Sequence, residues 1–422
     1  MVQRFCLALL LCAALASVAH ADPLWEDTVF AGGRDGQANA VVSDGRRVYA
    51  AGFAATPTGE VGIVRSYEPR TGTVVWDDRP SEPAAIEAFT ALAVDRGRLF
   101  ATALVVRGTG ASGFDWLLRA NDASSGALLW QDERDSAEAI DVATEGGRVF
   151  VTGAIKGPDA DDSFVVRAHD AASGALLWED LPAGDGTVDA GLAITARAGR
   201  VFAAGRLDDA LHVVAYAQDT GAILWTQDRP GIVSIGGLVV AGDRVFVAAI
   251  VGAELRVYAL AASTGSVMWR YRETATGTGP ATYPIADVGL AATAERVFVG
   301  RVADGDDALF ALDAASGASL WRRDDPGVTR SLEIGGGRVF GVAGAPGPLA
   351  RGFDVATGAT VWSSPLDRDG SALALARSGP LVFVGGVAGP GFGSFHVEAF
   401  DTSAQDRVVP IVPRGRRMPI VR

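Results

Sequence analysis

Short apolar runs separated by glycine- and aspartate-bearing turns fill the chain, and none sustains the 3.6-residue period of an amphipathic helix. One unit reads Gly191–Thr195 (GLAIT), a turn at Ala196–Gly199, then Arg200–Ala204 (RVFAA). A loop follows, then His212–Ala217 (HVVAYA), a turn through Gly221, and Ala222–Thr226 (AILWT). Runs of this length, rich in β-branched and aromatic residues, read as strands. Each unit therefore predicts four short strands and no substantial helix.

The unit repeats. Tryptophan recurs at Trp25, Trp76, Trp130, Trp178, Trp225, Trp269, Trp321 and Trp362, and a glycine stands four residues before each of the last seven. Between the tryptophans lies a second marker, as in Arg47-Val48-Tyr49, Arg98-Leu99-Phe100 and Arg148-Val149-Phe150. It continues through Arg338-Val339-Phe340 to an eighth copy, Leu381-Val382-Phe383, that has lost its arginine. Four strands in a period of roughly 40–55 residues is the arithmetic of a propeller blade. The fold expected is all-β, an eight-bladed β-propeller with four antiparallel strands per blade.

The glycine supplies the positive φ of a tight turn between third and fourth strands. The tryptophan then lies on the outer strand, where its face can cover the neighbouring repeat's turn. Burying an indole removes roughly 150–250 Å² from water, an upper bound of ~4–6 kcal/mol per contact. Trp25 has no blade before it, and the last unit, from Ser371, lacks a Thr-Gly-x-x-x-Trp ending. The N-terminal strand is therefore expected to become the outer strand of blade eight, removing the edges that an open sheet would leave.

The phrase Ala-x-Asp-x-x-(Thr/Ser)-Gly-x-x-x-Trp stands as Ala120-Asn121-Asp122 leading to Trp130, Ala168-His169-Asp170 to Trp178, and Ala311-Leu312-Asp313 to Trp321. Blades four and five carry Ala217 and Ala261 in place of the acid. This pattern resembles the tryptophan-docking motif of quinoprotein-like (PQQ-like) propellers over essentially the whole chain, and kelch repeats are the nearest rival. The resemblance implies one of two branches. Quinoprotein dehydrogenases use bound quinone and calcium, and many carry an adjacent cysteine pair. The other branch holds non-enzymatic scaffolds, such as the propeller of the outer-membrane β-barrel assembly machinery, and this chain looks closer to it.

Composition narrows the chemistry. Both cysteines, Cys6 and Cys12, fall in an apolar N-terminal stretch that follows Arg4 and ends at Ala19-His20-Ala21, the pattern of a cleaved leader. Residues 1–21 are thus expected to be a signal peptide, 22–412 the propeller and 413–422 a basic tail around Arg414, Arg416 and Arg417. A mature chain without cysteine excludes disulfides and thiol chemistry. The net charge of −13 argues against nucleic acid as partner.

His169, His212 and His396 each stand on a predicted third strand of a different blade and are expected to be satisfied strand histidines. Two acidic loops, 158–162 and 304–307, lack the full calcium-loop spacing and read as solvated turns. Trp116, outside the ladder, could stack on a ring ligand but reads better as a packed strand residue. Arg270 and Arg272 open the long link from Trp269 to Ile285 and form, with Trp116, the candidate binding surface. The loops Phe53–Gly62, Arg107–Gly113 and Lys156–Asp162 complete the candidate face.

The chemistry expected is an exported, periplasmic or secreted, monomeric scaffold binding a protein or small ligand of the cell envelope. No cofactor, metal or catalytic residue is assigned, and enzymatic activity is not expected. The alternative is a quinone- or metal-dependent oxidoreductase with a degenerate site.

Overall fold

A strand covered on both faces must be apolar throughout, and the second strands show this: Arg148–Lys156 is buried at every position between its two ends. Third strands behave alike, as in Ala210–Ala217. First strands mix buried and half-buried positions, and outer strands expose most of theirs. These gradients follow from sheets stacked face to face around an axis, with the first strand innermost.

The computed structural model describes residues 19–20, 22–29, 36–56, 59–80, 85–107, 114–156, 162–182, 189–231, 234–251, 254–274, 288–301, 307–324, 331–342, 350–364, 370–389 and 393–403. They form eight sheets, each built on four antiparallel strands that are consecutive in the chain in all but one sheet, and blade seven carries a fifth, parallel strand at its outer edge. In blade four the strands are Ala190–Arg197, Arg200–Leu207, Ala210–Ala217 and Ile223–Pro230, longer than the sequence pattern suggested. The exception is blade eight: Gly370–Ser378, Leu381–Ala388 and Ser394–Asp401 are completed by the N-terminal strand Trp25–Val29, with Trp25 opposite Ala399 and Val29 opposite Phe395. Each innermost strand touches those of the blades before and after it, from blade eight back to blade one. The ring closes as expected.

Of the expected leader, only Ala19 and His20 are described, pairing in parallel with Trp362 and Ser363 at the outer edge of blade seven. The tail 413–422 lies outside the described residues.

The two sequence markers meet in space. Tyr49, Phe100, Phe150, Phe202, Phe246 and Phe298 each pack on the tryptophan of their own blade at 5.8–6.0 Å between ring centroids. Each of the first seven tryptophans also reaches the next blade. The indole N–H of Trp225 donates to the Ala262 carbonyl at 3.1 Å, and that of Trp76 to Ala123 at 3.0 Å. In each case the acceptor directly follows the motif's acid position.

Trp362 departs from the expected ladder. Blade eight has no Thr-Gly turn to receive it, so its ring meets Phe340 and Phe400 edge-on at 6.0 and 5.4 Å. It is fully buried, and its N–H has no hydrogen-bond acceptor among the described residues.

The motif acid organises the turn. Asp122 accepts the backbone N–H and hydroxyl groups of Ser124 and Ser125, and these bonds hold its carboxyl down at about 2. Where alanine replaces the acid, Gly221 N–H still donates to the Ala217 carbonyl at 2.9 Å, and the Thr220 hydroxyl accepts from the Ala222 N–H at 3.3 Å.

Candidate functional site

Three features of the ring are candidates for function: its seams, its channel and its rim. At the seams, the residue two past the tryptophan faces the next blade's third strand. Asp27 accepts from the Arg65 guanidinium at 2.6 Å and the Tyr67 hydroxyl at 2.9 Å. Asp78 accepts from Arg119 at 3.1 Å and Asn121 at 3.0 Å. Asp132 accepts from Arg167 at 2.5 Å, and Asp180 from the Tyr216 hydroxyl at 2.7 Å. Burial and the nearby carboxylates push both tyrosines up, so each remains a proton donor. The following seams change chemistry. Tyr271 packs on Phe310 at 5.3 Å, and Arg323 donates to the Gly358 carbonyl at 2.7 Å.

The channel holds a cavity of about 280 Å³. Its wall comes from the innermost strands of blades three to seven, chiefly Leu192, Ile235, Leu238, Leu290 and Leu332, together with Asp141. The Asp141 carboxylate accepts the backbone N–H groups of Val142 and Ile194, each at 2.9 Å. Desolvation outweighs these bonds and raises its pKa to about 6. A folded-state pKa above the unfolded value near 3.9 gives stability that is complete below pH ~4 and lost as pH rises through about 6. Asp141→Asn removes that titration. Its stability relative to the parent should improve by about 2–3 kcal/mol between pH 4 and pH 8. Urea unfolding at both pH values reads the change, and a constant difference would mean that Asp141 is solvated like a surface carboxylate.

The rim is apolar where alternation would make it polar. Val74 and Val75, Leu128 and Leu129, Leu176 and Leu177, Ile223 and Leu224, and Val267 and Met268 are all 39–54% exposed. A β-bulge explains the doubling: the ladder steps from Leu128↔Asn121 to Trp130↔Ala120, leaving Leu129 without a partner. The same step recurs before the tryptophans of blades one to seven.

Trp116 lies fully buried in the core between blades two and three, with the Arg167 guanidinium 5.6 Å from its ring. It offers no face to a ligand, so its place in the candidate surface is corrected to a packing role. Arg270 and Arg272 are not in a link. They stand exposed on the outer strand Val267–Thr274, and residues 275–287 lie outside the described residues. Of the candidate loops, residues 57–58, 108–113 and 157–161 are also outside them, as are 302–306 of the second acidic loop.

The histidines sit in three blades. His169 is buried, with Nδ1 3.1 Å from the Gly174 carbonyl, and burial lowers its pKa. His212 pairs with Asp228 at 2.6 Å. His396 lies 2.7 Å from both Thr28 and Glu398 and clusters with Glu26. Sequence reading missed that cluster because Glu26 reaches it only through ring closure.

Set against known proteins, this closed ring of tryptophan-docked blades has a definite place. A family profile described as outer membrane protein assembly factor BamB matches residues 14–159, 162–288 and 284–407. The chain belongs to that family. No curated protein sequence matches it. Among solved structures, BamB from Moraxella catarrhalis is 17% identical with a TM-score of 0.57, covering 90% of this chain and 99% of its own. A europium-containing methanol dehydrogenase is 13% identical with a TM-score of 0.60, covering 91% and 95%. The computationally designed Ika8 protein is 15% identical with a TM-score of 0.57, covering 87% and 100%. At such identities the likeness is one of fold.

The quinoprotein relatives raise the question of a quinone in the BamB-type channel. Pyrroloquinoline quinone carries three carboxylates, and the described cavity wall offers one charged group, the Asp141 carboxylate, with no arginine or lysine. Like charges would meet in poorly solvated space, so this donor set does not fit the group.

Proposed function

We propose that this chain is a non-enzymatic scaffold of the cell envelope, exported, monomeric, and binding an extended protein segment at its rim. The observation that carries this reading is the bulged outer strand. It presents paired exposed aliphatics beside a sheet edge, and such edges accept added strands. On blade five the same strand continues from Met268 into the exposed Arg270 and Arg272, so an apolar and acidic segment suits it best. The family supports the reading through BamB, an assembly factor by name. Among the described residues no helix is long and apolar enough to cross a membrane.

A photo-crosslinker at position 272 should capture one discrete envelope protein in native cells. The double reversal Arg270→Glu with Arg272→Glu should weaken its binding at least about tenfold. Reversal of the exposed Arg46 should leave binding intact. A thermal shift and dye reduction with quinone plus calcium, without any crosslinked partner, would instead favour the oxidoreductase alternative.

A further inference from the structure

The innermost strands share a step in their ladders. The pairing skips Asn39, Thr90, Ile140, Leu192, Gly236 and Leu373, leaving each as a bulge. In five of these six blades the next residue is small: Ala40, Ala91, Ala193, Gly237 and Ala374. Only the third blade places a charge there, Asp141. The same strand and bulge form in the other five without it, so the fold does not call for an acid at this position.

Asp141 stands on the wall of the channel cavity, whose volume is about 280 Å³. The wall around it is chiefly aliphatic side chain and glycine backbone. Leu192, Leu238 and Leu290 keep part of their surface uncovered, and Gly236 and Gly237 add no side chain. The N–H groups of Val142 and Ile194 each donate to a different oxygen of the carboxylate. A carboxylate offers about four lone-pair sites, so both oxygens can accept again. Among the described residues no guanidinium, ammonium or imidazole pairs with it, and burial raises its pKa to about 6 accordingly.

Few cations suit such a place. A metal ion needs several oxygen or nitrogen ligands, and this wall offers one carboxylate. A guanidinium takes both carboxylate oxygens together as a fork, whereas here each already accepts from an amide. An ammonium is a point charge with three donors, and a short aliphatic body behind it would cover the leucines. The cavity lies just under the usual range for small ligands, about 300–1,000 Å³, which leaves no room for a peptide.

We propose that the channel binds a small primary alkylamine as its ammonium ion, paired with Asp141 and lying along Leu192, Leu238 and Leu290. The site shares no residue with the rim, so either can fail alone.

Calorimetric titration of the purified protein with n-hexylammonium chloride near neutral pH should give one saturable site. Asp141→Asn keeps the size of the side chain and should weaken binding at least about tenfold. Two further ligands separate charge from body. Hexanol, which lacks the charge, and ammonium chloride, which lacks the body, should each bind at least about tenfold more weakly. From ethylammonium to hexylammonium, each added methylene should strengthen binding about two- to fourfold. Absence of a saturable site, binding indifferent to Asp141→Asn, hexanol or ammonium binding as tightly as the amine, or a flat chain-length series would each overturn the site.

Discussion

Replacing Gly265 by alanine is expected to destabilise the ring by about 3–5 kcal/mol, as much as deleting the indole that rests on it. The residue has φ +69°, and a Cβ built there lies 2.5–2.6 Å from Cε3 and Cδ2 of Trp225. The left-handed backbone alone accounts for about 1–2 kcal/mol. The remainder is the displaced indole, which is 8% exposed and bonded to the Ala262 carbonyl. Trp225→Ala should cost about 3–5 kcal/mol through the lost burial and the cavity left behind. The double variant should lose less than the sum, because alanine at 265 then meets no ring and only its backbone term of about 1–2 kcal/mol remains. Chemical denaturation of the three variants closes the cycle. Strict additivity would mean that glycine and indole act independently, and the docking account would fail.

Arg65→Met should cost about 2–3 kcal/mol by opening the seam between blade eight and blade one. The guanidinium binds Asp27 of the closing strand at 2.6 Å and also bonds to Asp77. Without it two carboxylates face each other at a half-buried seam. Losing a partner from a fully buried pair costs about 3–5 kcal/mol. The lower figure applies here because Asp27 and Asp77 keep 23% and 26% of their side-chain exposure. Adding Asp27→Asn should restore part of the loss by removing the stranded charge. Acid should erase the difference. Burial pushes Asp77 up, but hydrogen bonds from Arg79 and Arg65 outweigh it and hold the carboxyl below its ordinary 3.8. A depressed pKa gives stability that is present above the unfolded value and lost as pH falls through the folded one. Parent and variant should therefore converge as pH falls well below the ordinary 3.8. A gap of undiminished size in acid would show that Arg65 acts by packing alone.

Much of the architecture was legible because the repeat is local. A glycine four residues before a tryptophan and an Arg-Val-Phe strand between tryptophans are short-range patterns, and counting them yields the blades and the closing strand. The same locality misled at one place. Trp362 carries the full motif, yet its contact depends on a turn that the next unit lacks, so it packs edge-on inside the seam. For Trp116 the packed reading was the better one, but its cover, Arg167 and the strands of blade three, lies far along the chain and only the structure identifies it. The bulge that turns Leu129 outward leaves no trace in alternation, since two adjacent leucines read equally well as a buried run.

By itself, then, the sequence determined the unit, the number of units, the glycine that permits each turn and the strand that closes the circle. All of these follow from patterns within a few dozen residues. The tertiary structure alone decided which side chains meet across seams: Asp27 with Arg65, Asp141 with the Ile194 amide, and Glu26 with His396 and Glu398. The physical reason is that strand alternation assigns a residue to one face of its own sheet, whereas stacking of whole sheets assigns that face its neighbour. Electrostatics acts only on neighbours.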